Sequence, residues 1–404
     1  ILQQSYNTLT FTAKELLEYN TTIDDHSIRA MVGHENYLFQ QSYVYGYKAY
    51  LADGESLSLS NAIQTNTAAG NSERYALDSY LATFTYMYAE KYGITANYRA
   101  DGSSRYAKGH RWGHFGSVGA SWSFTNESFM EPASEWLKDG KLRLSWGVLG
   151  NQINSLYAYT NMYYLSPVVG QVGAVESSVG NSAITWERTN TTDLGLEFSV
   201  GKYLDVELDY FYKLTDNLLF ARAVAPSLGY SSLPTNDAKM VNQGVEFTFK
   251  AHAVDTRNVK LDIRLNGAHY KNLMTQMPLD YVDENGKEIR QKMSGAMSVG
   301  HSMYDHYTYV YGGVDEQGNA LYQGYYDSRE ADKGAGFGEL IGNNEYNYIS
   351  SVHQWILEQE EAGVENPEQY LRDTLIPDMG LAALQYVDKS YLPDLAGGIG
   401  FDLD

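Results

Sequence analysis

From Leu204 to Thr215 the chain alternates without a break: Leu204, Val206, Leu208, Tyr210, Tyr212 and Leu214 fall on one side, and Asp205, Glu207, Asp209, Phe211, Lys213 and Thr215 on the other. A period of two belongs to a β-strand with one apolar and one polar face. At about 3.3 Å per residue the stretch runs close to 40 Å, longer than a mean strand and enough to cross a bilayer with tilt. The same pattern returns where Leu142, Leu144, Trp146 and Val148 alternate with Lys141, Arg143, Ser145 and Gly147. It returns again in Leu194, Leu196, Phe198 and Val200, in Val245, Phe247 and Phe249, and in Val259, Leu261, Ile263 and Leu265. A soluble sandwich alternates too, so the period alone does not say whether the apolar face meets a second sheet or lipid.

Connection lengths decide between them. The pattern predicts strands near residues 6–19, 26–39, 79–89, 92–101, 113–124, 141–150, 189–200, 203–219, 242–252, 259–271 and 395–404. Gly201-Lys202, Glu90-Lys91 and the stretch around Asp255-Thr256-Arg257 are short, whereas Asn151 to Thr185 and Asn272 to Asp394 are long. Short turns alternating with long loops describe an outer-membrane barrel, and a sandwich has no reason to segregate them. Asn126 to Gly140, with Pro132 and Trp136, is a long turn for the short side and counts against the pattern.

Composition agrees. The 404 residues include 36 tyrosines and 37 glycines but 8 prolines, a strand-rich bias in which tyrosine suits interfacial aromatic girdles. No run approaches the ~18 apolar residues of a membrane helix, which excludes a helical membrane protein and leaves a β-barrel open. Net charge is −21, which disfavours nucleic acid as a partner because duplex binding needs clustered cations. Zero cysteines exclude disulfides, thiolate zinc sites and cysteine nucleophiles. The chain begins at Ile1 inside an expected strand and stops at Asp404 with no turn chemistry, so a piece of a longer protein is expected.

Residues 272–394 are too long for an unstructured loop. Ser351-Val352-His353-Gln354 ahead of Trp355, Ile356 and Leu357, and Asn366-Pro367-Glu368-Gln369, predict two short helices, with Gly363 and Pro377 as stops. Asp283-Glu284-Asn285-Gly286 and Asp315-Glu316-Gln317-Gly318 lack the ligand spacing of a calcium loop and read as acidic turns.

Several strings, in order, resemble the SusC/RagA-type TonB-dependent transporters. The strongest is RADGSSRYAKGHRWGHFGSVGASW from Arg99 to Trp122. It is followed by KLRLSWGVLGNQ from Lys141, TWERTNTTDLGLEF from Thr185, DYFYKLTDNLL from Asp209, NQGVEFTF from Asn242, GHSMYDHY from Gly300, YGGVDEQGNALY from Tyr311 and YLPDLAGGIG from Tyr391. The resemblance covers about Tyr92 to the end. It departs at Phe115, followed here by Gly116 where the family usually has proline. It implies an all-β transmembrane antiparallel barrel, residues 1–404 forming about half of a 22-stranded plugged barrel, with 272–394 as a large extracellular loop insertion and the plug outside this chain. It further implies import of oligosaccharides, or of peptides, across a Gram-negative outer membrane, with loops facing the cell exterior. Expected partners are a SusD-like surface lipoprotein over the loops, the TonB complex acting through missing amino-terminal parts, and outer-membrane lipid.

Candidate ligand contacts are Arg105, Trp112, Tyr163, Tyr164, Tyr304, Tyr307 and Tyr309, since Tyr and Trp present an apolar body with a polar tip and Arg offers directional donors. Tyr311 shares the tyrosine argument. The DGSSR run from Asp101 reads more readily as hairpin chemistry than as a ligand site. His110 and His114 would share a helix face, but Gly109, Gly113 and Gly116 argue against a helix, so no metal is expected. Asp205, Glu207 and Asp209 read as a solvated wall rather than glycosidase carboxylates. No G-x-S-x-G, H-E-x-x-H or G-x-x-x-x-G-K is present, and neither an enzyme nor a cofactor is expected. The rivals are a passive porin or adhesin barrel, and a secreted carbohydrate-binding or glycosidase β-protein.

Overall fold

The computed structural model describes residues 1–51, 57–168, 171–230, 232–291, 293–294, 297–309, 311–314, 320–325, 337–342, 360–361, 363, 381–382, 384–390 and 395–403. The chain divides into one unit of residues 1–237, 243–268 and 397–404 and a second of 238–242 and 269–396.

The first unit is built on a long sheet. Its strands are β1 (Leu2–Ile23), β2 (His26–Leu51), β3 (Ala62–Tyr88), β4 (Tyr92–Ser103), β5 (Trp112–Trp122) and β6 (Leu137–Asn151), with a separate hairpin of β7 (Met162–Val168) and β8 (Gln171–Ser178). They continue as β9 (Glu187–Val200), β10 (Leu204–Ala223), β11 (Ser232–Asp255), β12 (Lys260–Gln276) and a last strand, Leu395–Leu403. Eleven of these make one sheet in chain order, omitting only the hairpin β7–β8. Every pair from β1 through β6 to β9 and β10 is antiparallel. These are the eleven strands that the alternation predicts. No helix among the described residues is long and apolar enough to cross a membrane.

Three expected boundaries move by ten residues or more, among them the start of β11, at Ser232 rather than near 242. β2 runs on to Leu51 rather than ending near residue 39, and β3 begins at Ala62 rather than near 79. The added stretches carry polar residues on both faces, as in Gln40-Gln41-Ser42 and Asn71-Ser72-Glu73-Arg74. Alternation marks a strand only where one face must be apolar, so wet extensions leave no period to read. Asp101-Gly102, expected at a turn, lies inside β4, paired with Gly113 and Trp112 of β5. A Cβ on Gly102 would sit 2.9 Å from the Trp112 ring, so glycine there makes room for an indole rather than a bend.

Connections alternate in length as expected. Residues 24–25, 89–91, 201–203 and 256–259 are short, whereas 52–61, 104–111, 152–186, 224–231 and 277–394 are longer. Ala89 (φ 49°) and Glu90 (φ 56°) both take the left-handed conformation of a type I′ hairpin without glycine. The exception, residues 123–136, is folded into 3₁₀ turns at Phe124–Asn126 and Ser128–Ala133. Glu127 anchors it by accepting from the Tyr92 hydroxyl, from the Trp122 indole N–H at 3.2 Å and from Lys91 Nζ at 3.3 Å. Those three donors hold the Glu127 carboxyl below its ordinary range, the Tyr92 hydroxyl first.

The second unit is made of small sheets. Leu279–Val282 pairs with Glu288–Arg290 around a turn in which Asp283 Oδ1 accepts from the N–H groups of Asn285 and Lys287 at 2.9 and 2.8 Å. Gly286 takes φ 81°, as the acidic-turn reading requires. Asp305–Tyr309 pairs with Leu384–Ser390, and Ala320–Tyr325 lies between Tyr311–Val314 and Phe337–Gly342. Residues 351–357, 366–369 and 315–318, where helices and an acidic turn are expected, lie outside the described residues. Gly363 has φ 79° and donates to the Glu360 carbonyl at 3.1 Å.

Candidate functional site

Register in the large sheet sorts side chains onto two faces, because cross-strand partners share a face. One row runs Tyr19, Ala30, Phe84, Ala96, Val118, Trp146, Thr192 and Tyr212; the next runs Ile94, Ala120, Leu144, Leu194 and Tyr210. Leu17 is 72% exposed, Leu144 53% and Trp146 50%. A soluble sheet does not leave such a continuous apolar face uncovered, whereas a barrel wall presents it to lipid. Tyr88, Tyr92 and Trp122 bound it towards the short turns, Tyr88 and Tyr92 stacked at 6.5 Å. On β1–β3 it is broken by a polar trio, past which Leu9, Phe11 and Leu38 share the face. Glu15 and His34 are cross-strand partners 3.7 Å apart, and His34 Nε2 lies 2.6 Å from Asp78 Oδ1.

The opposite face is polar and tied by ion pairs. Arg29 meets Glu18 at 2.7 Å, Lys14 meets Glu35 at 3.0 Å and Arg99 meets Asp101 at 2.7 Å. Arg143 bridges Glu197 at 2.5 Å, Asp209 at 3.0 Å and Glu207 at 3.5 Å. Asp205 accepts from Ser199 Oγ at 2.8 Å and lies 3.0 Å from His252, whose other nitrogen is 2.7 Å from Asp262. A cleft of about 620 Å³ opens among Asp139, Glu197, Asp205, Glu207, Lys250 and Arg264. Glu207 and Asp209 are ion-paired with Arg143 and Asp205 is held by His252 and Ser199, as in a hydrated wall.

Two of the longer connections of the first unit, 104–111 and 152–186, meet around one buried cluster: Tyr106, Phe115, Val148, Ile184 and Trp186, with Ile153, Ala158 and Leu219 against it. The Trp186 ring lies 5.3 Å from both Tyr106 and Phe115, and its indole N–H donates to the Arg111 carbonyl at 2.9 Å. Tyr106 is fully buried and its hydroxyl accepts from the Ile153 N–H at 3.0 Å. Burial pushes its phenol up to about 12. Asn236 and Asn181 extend the cluster, donating to the Thr185 and Pro234 carbonyls at 2.7 and 3.0 Å. Trp186 and Tyr106 both stand inside family-like strings, but their meeting across eighty residues is a tertiary fact.

The expected contact residues are dispersed. Arg105 donates to the Ile153 carbonyl at 2.7 Å and lies 4.2 Å over the Tyr75 ring. Trp112 opens β5 on the lipid-type face, 6.0 Å from Tyr80. Tyr163 and Tyr164 are adjacent on the free hairpin, 58% and 53% exposed. In the second unit Tyr304 donates its N–H to Ser302 Oγ at 3.2 Å, Tyr307 pairs with Tyr386, and Tyr309 pairs with Leu384, its side chain lying outside the described residues. Tyr311 pairs with Tyr322. His110 is in a turn beside Gly109 (φ 101°), and His114 is in β5 and 2.7 Å from the Tyr98 hydroxyl. What the sequence reading missed is an aromatic row on β2, comprising Tyr37, Phe39, Tyr43, Tyr45 and Tyr47 on the polar face. Its signal is plain in Tyr43-Val44-Tyr45-Gly46-Tyr47.

Residues 2–355 match the family model for the TonB dependent receptor-like β-barrel. The chain belongs to the TonB-dependent receptor β-barrel family. TonB-dependent receptor P3 of Formosa agariphila is 26% identical over 352 residues, 84% of this chain and 35% of that protein. TonB-dependent receptor SusC of Bacteroides thetaiotaomicron is 29% identical over 267 residues, 61% of this chain and 26% of that protein. The solved RagAB peptide importer superposes on all of this chain and 40% of its own at a TM-score of 0.74 and 20% identity. The chain thus spans about a third of the length of these relatives. The SusC/RagA-type resemblance holds, as does the barrel-type all-β fold. TonB-dependent receptor barrels are outer-membrane proteins of Gram-negative bacteria, and the relatives are receptors and transporters rather than enzymes.

Proposed function

We propose that the complete protein actively imports oligomeric nutrients across the outer membrane, oligosaccharides first, with TonB acting on a plug that lies outside these residues. The observation that carries this reading is the two-faced sheet. An exposed apolar face fits lipid, and the face behind it is polar and ion-paired, which fits the lining of a hydrated passage. The longer connections face the cell exterior and meet a SusD-like surface lipoprotein, with residues 272–394 the largest loop insertion. Arg105, Trp112, Tyr163, Tyr164, Tyr304, Tyr307 and Tyr309 are the proposed ligand contacts. A net charge of −21 favours neutral or cationic ligands over anionic ones. Peptide import is the second reading, favoured by the fold shared with the RagAB peptide importer.

The native assembly, extracted in mild detergent and weighed by native mass spectrometry, tests the architecture. A chain well above 45.3 kDa retaining a lipoprotein supports it, and a lone detergent-free chain near that mass refutes it. Uptake into cells lacking TonB tests the mechanism: import that persists would show a passive pore.

A further inference from the structure

The aromatic row on β2 lies where the sheet has run past its apolar belt. On the lipid-type face of β2, Ile28, Ala30 and Val32 give way to His34 and Asn36, and beyond Leu38, opposite Phe11, the face turns to Gln40 and Ser42 and the strand continues to Leu51. On the opposite face Tyr37, Phe39, Tyr43, Tyr45 and Tyr47 repeat at alternate positions, so the row extends over about 33 Å. Neighbouring strands widen it. Tyr6 of β1 stacks on Tyr43 at 5.6 Å, Tyr43 and Tyr45 lie 6.1 Å apart and 12° from parallel, and Tyr75 of β3 lies 5.5 Å from Tyr37 and 5.4 Å from Phe39. The rings are partly open to solvent, with Tyr6 55% and Tyr47 40% exposed.

Three properties of this surface select its occupant. It is nearly neutral: across the rungs from Tyr37 to Tyr47 the partners on β1 and β3 are Thr, Gln, Tyr, Leu, Asn and Ala, and the one charge among these described residues is Glu73, opposite Gln41. The cation beside the row, Arg105 over the Tyr75 ring at 4.2 Å, lies at its Tyr37 end and donates to the Ile153 carbonyl, so an anionic chain meets no cation opposite Tyr43, Tyr45 or Tyr47. The hydroxyls of Tyr43, Tyr45 and Tyr47 have no hydrogen-bond partner among the described residues, which leaves polar tips beside the ring faces. Finally, β2 is paired on both sides from His26 to Tyr47, so its backbone has no groups left for an extended peptide to pair with. Ring faces with free hydroxyls and no net charge complement an uncharged, hydroxyl-rich polymer of pyranose rings, whose apolar ring faces stack while its hydroxyls exchange hydrogen bonds.

We infer that the Tyr37–Tyr47 row of β2, with Tyr6 and Tyr75, is a binding site for neutral oligosaccharides. This rests on the reading of the protein as an oligosaccharide importer, and it adds a site outside the loop residues proposed above. The test uses the full-length protein in detergent. Wild type is screened by calorimetry against neutral hexasaccharides of glucose, mannose, galactose and xylose and, separately, against a pool of hexapeptides. The double variants Tyr43→Ala/Tyr45→Ala and Tyr43→Phe/Tyr45→Phe are then measured with whichever sugar binds, after heat-modifiable gel mobility confirms a folded barrel. Loss of both rings weakens sugar binding by roughly tenfold per ring, while the phenylalanine pair keeps most of the affinity. Sugar binding that is equal in wild type and the alanine pair overturns the site and leaves the import reading standing. Binding of peptides and of no sugar overturns the oligosaccharide reading, and the site with it.

Discussion

Trp186→Ala should loosen the longer connections while leaving the sheet intact. The indole is 5% exposed, its ring contacts Tyr106 and Phe115 at 5.3 Å, and its N–H donates to the Arg111 carbonyl. Truncating a buried tryptophan costs about 3–5 kcal/mol, chiefly in lost packing, because the Arg111 carbonyl still accepts from the Ser103 N–H at 3.0 Å. None of this falls on a ladder hydrogen bond, so it is a local rather than a global loss. At 1.36 kcal/mol per factor of ten, the Ile153 amide, held by the Tyr106 hydroxyl, should exchange its hydrogen roughly a hundred-fold or more faster. Amides of β9 and β10 should keep their protection. Hydrogen exchange read by mass spectrometry on the full-length protein in detergent separates the two regions. Trp186→Phe, which keeps much of the packing and loses the N–H donor, should fall between. Unchanged exchange at Ile153, or equal loss across β9 and β10, would refute the idea of a cluster that rigidifies loops independently of the wall.

Other consequences can be checked by direct measurement. Leu144→Arg puts a charge on the lipid-type face and should destabilise the folded barrel by about 2–4 kcal/mol in urea titrations, whereas Ser145→Arg on the opposite face should change it by under about 1; equal effects would mean the faces are wrongly assigned. Ala89→Gly and Glu90→Gly relieve left-handed backbone and should each raise stability by about 0.5–1 kcal/mol, so a lower unfolding midpoint would contradict the turn geometry. Because the Glu127 carboxyl is held below its ordinary range, its anchoring is fully present above the unfolded carboxylate value of about 4.3 and fades as pH falls through the folded value. Hydrogen exchange in residues 123–136 should therefore quicken on acidification, beyond the intrinsic pH effect, in wild type and not in Glu127→Gln.

The wall was legible because lipid enforces a rule at every second residue. Leu204 to Leu214 and Leu142 to Val148 show it, and each lies in a strand of the large sheet. Where both faces are wet the rule lapses, which is why the reach of β2 to Leu51 and of β3 back to Ala62 could not be read. The hairpin β7–β8, inside an expected loop, was missed for a related reason: it pairs only with itself, and Leu165 and Val172, 76% and 77% exposed, show no one-sided burial. Of the candidate site, the carboxylates of β10 were rightly read as wall, since their neighbours supply Arg143 and His252. The Tyr106–Trp186 cluster depends on contacts between distant segments and carries no local period. The β2 aromatic row was visible as Tyr43-Val44-Tyr45-Gly46-Tyr47, yet reading it needed the register that places all five rings on one face.

The unequal connections bear on how such a barrel can vary. Closing a flexible loop costs about 0.6 kcal/mol per doubling of its length. Between the four residues of 256–259 and the roughly 120 of 277–394 there are about five doublings, or about 3 kcal/mol. Against a sheet whose pairs are fixed by tight turns at the other end, that is a small penalty, and it is independent of what the added residues spell. A gene can therefore lengthen, shorten or exchange a long connection without re-registering any strand, so that one inherited wall serves as chassis for a series of differently selective mouths.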